Sequence, residues 1–135
     1  MKRIMLAIVI VFLSTSILNA KTLSGNIKGI GCASDTQKGF QLAKSLAEVS
    51  SKSGIISKIF VMGDSLLNVT FNRTGDRAYQ SDPNGARFLL RSWVKLMRDY
   101  YGTPAISVTL HESDGTTIGE GSISIFSGKI KAEIY

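Results

Sequence analysis

DPNGARFLLRSWVKLMRDYYGTPAISVTLH, residues 82–111, places the two periodicities of the fold side by side. Asp82 can cap a helix that begins at Pro83, a first-turn position that needs no amide hydrogen. Ala86, Leu89, Leu90, Trp93, Leu96, Met97 and Tyr100 then recur at 3.6-residue spacing and share one sector of the helix surface. Gly102 ends the helix and Pro104 prevents its continuation. From Ile106 the period becomes two: Ile106, Val108 and Leu110 alternate with Ser107, Thr109 and His111, as in a strand with one apolar side. A helix with one apolar stripe and strands with one apolar face satisfy each other, so this stretch specifies helix packed on sheet.

Working outward, Ser113-Asp114-Gly115 turns the chain, Ile123 and Ile125 continue the alternation, Ser127-Gly128 turns it again, and Ile130, Ala132 and Ile134 close it. Upstream, Arg73 to Ser81 contains Thr74-Gly75-Asp76 and little periodicity, and reads as a loop. Ile55 to Met62, the turn Gly63-Asp64-Ser65, and Leu67, Val69 and Phe71 alternating with polar residues form a hairpin with one wet face. Ser34-Asp35-Thr36-Gln37 reads as a capping box with Ser34 as N-cap. The helix it opens runs to about Ser51 with a stripe of Phe40, Ala43, Leu46, Ala47 and Val49, and Gly54 as terminator. Thr22 to Cys32, with Gly25, Gly29 and Gly31, reads as an edge or bent strand.

The predicted order is therefore β-α-β-β-α-β-β-β: an α+β single domain, mainly an antiparallel sheet with two helices on one face. Its first six elements have the order of a ferredoxin-like unit. In element order the chain is also similar to the BON domain, a small periplasmic module whose family association is with phospholipid. None of that family's motif residues occurs here.

Met1-Lys2-Arg3, the apolar run Ile4 to Leu13, and the more polar Ser14 to Ala20 read as a cleaved signal peptide over residues 1–20, with the secreted or periplasmic domain spanning 21–135. Retention as an uncleaved anchor is the alternative, since Leu18 stands where the cleavage pattern prefers a small residue. Without Lys2 and Arg3, the balance of 16 basic against 10 acidic residues becomes 14 against 10, a formal +4. That excess is small for a nucleic-acid protein, and acidic envelope components are the better-matched partners. The single cysteine, Cys32, allows no intramolecular disulfide. It reads as a buried strand-end residue; a reactive thiol ahead of a helix start is the sharper alternative.

The candidate site is a cationic face. Arg87, Arg91, Lys95 and Arg98 recur at i, i+4, i+8 and i+11 beside the apolar stripe, bordered by Phe88 and Val94, with no acidic residue among them until Asp99. Such a track suits phosphate or carboxylate groups, and the apolar margin could rest against acyl chains or sugar rings in a peripheral membrane contact. A solvated helix face is the ordinary reading of the same pattern.

Other motifs carry less. Gly29-Ile30-Gly31-Cys32-Ala33-Ser34 imitates a dinucleotide-binding turn but has Ser34 for its third glycine. Ser92-Trp93-Val94-Lys95 matches S-x-x-K without its companion motifs. His111 and Glu112 point to opposite faces of a strand, so with Asp114 they do not converge on one ion. A Cys32–His111 dyad has no supporting motif, and the acceptor-like patterns at Asn68 and Asn72 fall on a strand.

The sequence thus leads to the expectation of a non-catalytic, exported binding or accessory protein, using no cofactor or metal. Its expected partner is an acidic envelope component, namely lipid headgroups, an acidic polysaccharide or an acidic protein surface, met by Arg87, Phe88, Arg91, Lys95 and Arg98. A structural or assembly component docking by a strand edge, either the glycine-rich first strand or Lys129 to Tyr135, is the alternative. A small hydrolase or thiol enzyme is the remote one.

Overall fold

Residues 22–63 and 65–135 are described by the computed structural model. The predicted signal peptide, Lys21 and Asp64 lie outside the described residues. The chain forms β1 (Leu23–Ile27), β2 (Ile30–Ser34), α1 (Gln37–Ser50), β3 (Ile56–Met62), β4 (Leu66–Phe71), α2 (Arg73–Ser81), α3 (Pro83–Tyr101), β5 (Ser107–His111), β6 (Thr117–Ile123) and β7 (Ile130–Ile134). The strands lie side by side in chain order, β1-β2-β3-β4-β5-β6-β7, in one sheet. Four neighbouring pairs are antiparallel. Two, β2 with β3 and β4 with β5, are parallel. Each parallel pair needs a long connection, and α1 and α2–α3 supply it.

The alternation read from the sequence puts one side of every central strand into the core. Ile59, Val61, Leu67, Val69, Val108 and Leu110 are all essentially solvent-free. α1 lies over β1 to β3 and α3 over β5 to β7, so both long helices cover the same face and the α+β, single-domain expectation holds. The opposite face is left with Lys58, Phe60, Asn68, Thr70, Thr109 and His111, none of them fully buried.

Several local readings change. The first extended segment is a hairpin, because Lys28 and Gly29 both take positive φ (51° and 89°) and Asn26 Oδ1 accepts from the Gly29 amide at 3.0 Å. The dinucleotide-like glycines are therefore a hairpin turn and a strand residue, with no strand-to-helix phosphate loop. α1 is capped by Thr36, whose Oγ1 accepts from Gly39 N at 2.9 Å. Ser34 is instead the fully buried last residue of β2: its hydroxyl donates to the Val61 carbonyl at 2.6 Å and accepts from Thr36 N at 3.2 Å. The buried side of α1 is Gly39, Leu42, Ala43, Leu46 and Ala47, while Val49 is exposed.

The expected loop over 73–81 is helix α2. Asn72 caps it, accepting from Gly75 N at 2.9 Å and donating from Nδ2 to the Gly54 carbonyl at 2.8 Å. Only Gly75 of this helix is buried, which is why no apolar stripe announced it. A Cβ at that position would collide with the Ile55 carbonyl and the Phe71 ring.

Candidate functional site

α3 is positioned by both of its predicted ends. Asp82 Oδ1 accepts from Gly85 N at 3.1 Å, Pro83 opens the first turn, and Gly102 closes the helix in the left-handed conformation at φ 69°. Its buried side is Ala86, Leu90, Trp93, Val94 and Met97. Three residues depart from the predicted pattern. Val94, expected at the margin of the cationic face, is fully buried, whereas Leu96 and Tyr100 are exposed at the other margin. The rotation follows from β6, where Gly119 and Gly121 leave a notch in the sheet: a Cβ at Gly121 would sit 2.7 Å from Val94 Cγ2, and one at Gly119 3.0 Å from Leu90 Cδ1. Leu90 and Val94 fill that notch.

With the helix so rotated, Arg87, Arg98, Arg91 and Lys95 occupy a sector of about 80° at 3.6 residues per turn, immediately beside the buried side. Arg91 and Lys95 are exposed, Arg87 and Arg98 half-buried. Arg87 Nη1 donates to Asn84 Oδ1, and Arg91 Nη1 donates to the Ile130 carbonyl of β7 at 3.1 Å. Arg98 Nε lies 3.4 Å from Asp99 Oδ1. Among the described residues it alone of the four pairs with a carboxylate. Phe88, on the same flank, is 68% exposed. The sequence-predicted cluster is thus brought together on one surface, with Val94 removed from it.

Two exposed residues beyond the predicted set adjoin this flank. The β6–β7 hairpin ends in a turn in which Ser124 N donates to the Lys129 carbonyl at 2.9 Å and Gly128 N to the Ser124 carbonyl at 2.8 Å. Ser124 and Ser127 hydroxyls accept two further amides. The turn holds Ile125 at 80% and Phe126 at 95% exposure. Ile125 was expected to continue the strand alternation. The signal for the turn was the apolar pair itself, framed by serines and Gly128 at positions where the pattern of two breaks.

The other candidates separate. Cys32 faces the helices and is buried, and burial pushes its thiol pKa up, away from the reactive range. His111 lies on the uncovered face, where its Nε2 meets Asn68 Oδ1 at 3.0 Å and its Nδ1 meets Thr117 Oγ1 at 3.2 Å. The sheet stands between the two, so they form no dyad. No group of three or more His, Cys, Asp or Glu residues converges among the described residues. The uncovered face carries a trough of about 640 Å³ bordered by Gly31, Ala33, Lys58, Phe60, Asn68 and His111. A second groove, of about 650 Å³, separates the long helices between Leu42, Ser45, Lys95 and Leu96. Tyr100 bounds it and spans it, its hydroxyl donating to the Lys38 carbonyl at 3.0 Å.

No family model, curated protein or solved structure matches this chain.

Proposed function

We propose that the protein is an exported, non-catalytic binding or accessory domain that meets an anionic partner through the outer flank of α3. The observation that carries this reading is the placement of Arg87, Arg91, Lys95 and Arg98 in one sector of α3 with, among the described residues, a single ion pair to a carboxylate, Arg98 with Asp99. Four cations over about three helical turns present a row of donors for phosphate, carboxylate or sulfate oxygens. Arg91 contributes twice, because its bond to Ile130 also fixes this flank against β7. The N-terminal pattern supports delivery to the periplasm or the exterior, where acidic envelope components are the available partners.

Retention on an immobilised polyanion such as heparin tests the reading. The chain from Lys21 is the unit to use, since the helices and strands of the described residues all lie between Leu23 and Ile134. It is expected to bind at low salt and to elute as salt screens exposed charges over about 8 Å at physiological ionic strength. Arg87→Glu/Lys95→Glu leaves the Arg91 tether intact and is expected to pass unretained. Equal retention of both proteins, or retention of neither, refutes the reading.

A second reading has its own observation: β1 and β7, the two strands singled out for edge docking, are the two edges of the sheet. Edge pairing between copies predicts a mass that rises with concentration and is indifferent to charge reversal on α3. A constant monomer mass counts against it.

A further inference from the structure

We infer that the anionic partner is a lipid bilayer, and that Ile125 and Phe126 at the β6–β7 tip are the apolar wedge that enters it. This inference rests on the anionic-surface reading above and names its partner. Leu90 packs at Gly119 and Val94 at Gly121, so β6 runs alongside α3 in the same direction. The tip follows Ile123 and therefore emerges beside the C-terminal half of α3, on the side of Arg98. Arg91 reaches the returning strand at Ile130. The cations of α3 and the apolar tip are thus parts of one flank.

The sequence around the tip matches that geometry. From Gly121 to Ala132 there is no acidic residue, and Lys129 and Lys131 flank the return of the hairpin. The nearest carboxylates on these strands, Glu120 and Glu133, are paired with each other in register on the tip-distal side of that stretch. Ile125 and Phe126 are the two most exposed large apolar residues among those described. The turn's hydrogen bonds fix the backbone that presents them outward.

Shape and chemistry together choose among the anionic partners. An acidic protein would need a dry pocket formed to match a projecting Ile-Phe pair. A polysaccharide offers an aromatic ring the shallow C–H face of a sugar, but no hydrocarbon depth for an Ile-Phe pair that projects together. A bilayer offers hydrocarbon beneath a negatively charged headgroup layer, which suits an apolar tip followed by Lys129 and Lys131 on its returning strand, with Arg91 of α3 bonded to that strand. The cations meet the headgroups while the tip reaches the acyl boundary.

Vesicle co-sedimentation of the chain from Lys21 tests this, using phosphatidylcholine vesicles with and without about one third phosphatidylglycerol, beside the heparin measurement. Binding to the anionic vesicles alone is expected. Ile125→Ser/Phe126→Ser is expected to weaken vesicle binding at least about tenfold, from the apolar surface no longer buried, while heparin retention stays unchanged. Phe126→Trp supplies a direct readout, because the chain's single tryptophan, Trp93, is 9% exposed. The emission of the introduced indole should shift to the blue on anionic vesicles and be quenched by brominated acyl chains. Vesicle binding by the double serine variant equal to that of the parent, or an unshifted emission from the bound Phe126→Trp variant, overturns the wedge. Retention on heparin with no binding to either vesicle overturns the bilayer as partner and leaves the anionic-surface reading standing. Loss of both overturns the two together.

Discussion

Gly121→Ala should destabilise the protein in its natural background and stabilise it once Val94 is replaced by alanine. In the parent, the new Cβ would sit 2.7 Å from Val94 Cγ2, against about 3.5–4.0 Å for carbons in contact. Val94 is fully buried and β-branched on a helix, so it has no second rotamer to retreat into. Overpacking of this kind costs about 1–3 kcal/mol. Against it stands about 0.5–1 kcal/mol gained by replacing glycine within a strand, so the net loss is about 1–2 kcal/mol. Val94→Ala alone removes two buried methyl groups and leaves a cavity, for about 2–3 kcal/mol. In that background the clash disappears: the remaining neighbours of the Cβ, the Leu90 and Lys131 carbonyls, lie at 3.6 Å. Gly121→Ala then gains about 0.5–1 kcal/mol, and the coupling between the two sites is about 2 kcal/mol. Urea unfolding of the four proteins, with the m-value checked for constancy, measures the cycle. Additivity within about 0.5 kcal/mol would refute the reasoning, and with it the notch as the feature that sets the rotation of α3.

Cys32 should react with a disulfide reagent only at the rate of unfolding, and in denaturant should react at once; rapid labelling of the native protein would contradict its packing. Because burial raises the folded thiol's pKa, the unfolded thiol ionises first as pH climbs, so its contribution to stability falls through and above the ordinary thiol range. Cys32→Ala should flatten that alkaline decline in unfolding free energy, and an unchanged slope would remove the linkage. Asn72→Ala removes the cap of α2 and the bond to the Gly54 carbonyl, and is expected to cost about 1–2 kcal/mol in thermal or urea unfolding. Asn72→Asp keeps the cap but not the donor, and its stability should fall between the parent and the alanine variant.

α3 could be read from the chain because its instructions are local: Asp82, Pro83 and Gly102 each act on backbone groups within a few residues. Its rotation could not, because Val94 is drawn inward by the absence of side chains at Gly119 and Gly121, on a strand reached only after another turn of chain. α2 escaped for a different reason. Its cap is local and visible at Asn72, but a helix whose one buried residue is a glycine shows no periodic apolar signal. At α1 the cap is Thr36 rather than Ser34, and N3 is Gly39 rather than Gln37, because Ser34 is the buried last residue of β2, held in register with Val61, 27 positions away. The cationic face was legible as spacing on a helix. The apolar tip beside it was not, because Ile125 fits a strand pattern as well as a turn until the hairpin's hydrogen bonds are known.

A sheet whose strands lie in chain order asks each new strand to pair only with its immediate predecessor. A polypeptide growing from its N-terminus therefore always finds the template for the incoming segment already made, first the β1–β2 hairpin, then β3 once α1 has folded back. No strand must wait for a distant partner, which keeps average sequence separation low and shortens the time during which sticky edges stand open. The last strand to be added is β7, and the residue that reaches its Ile130 carbonyl, Arg91, has by then long been in place.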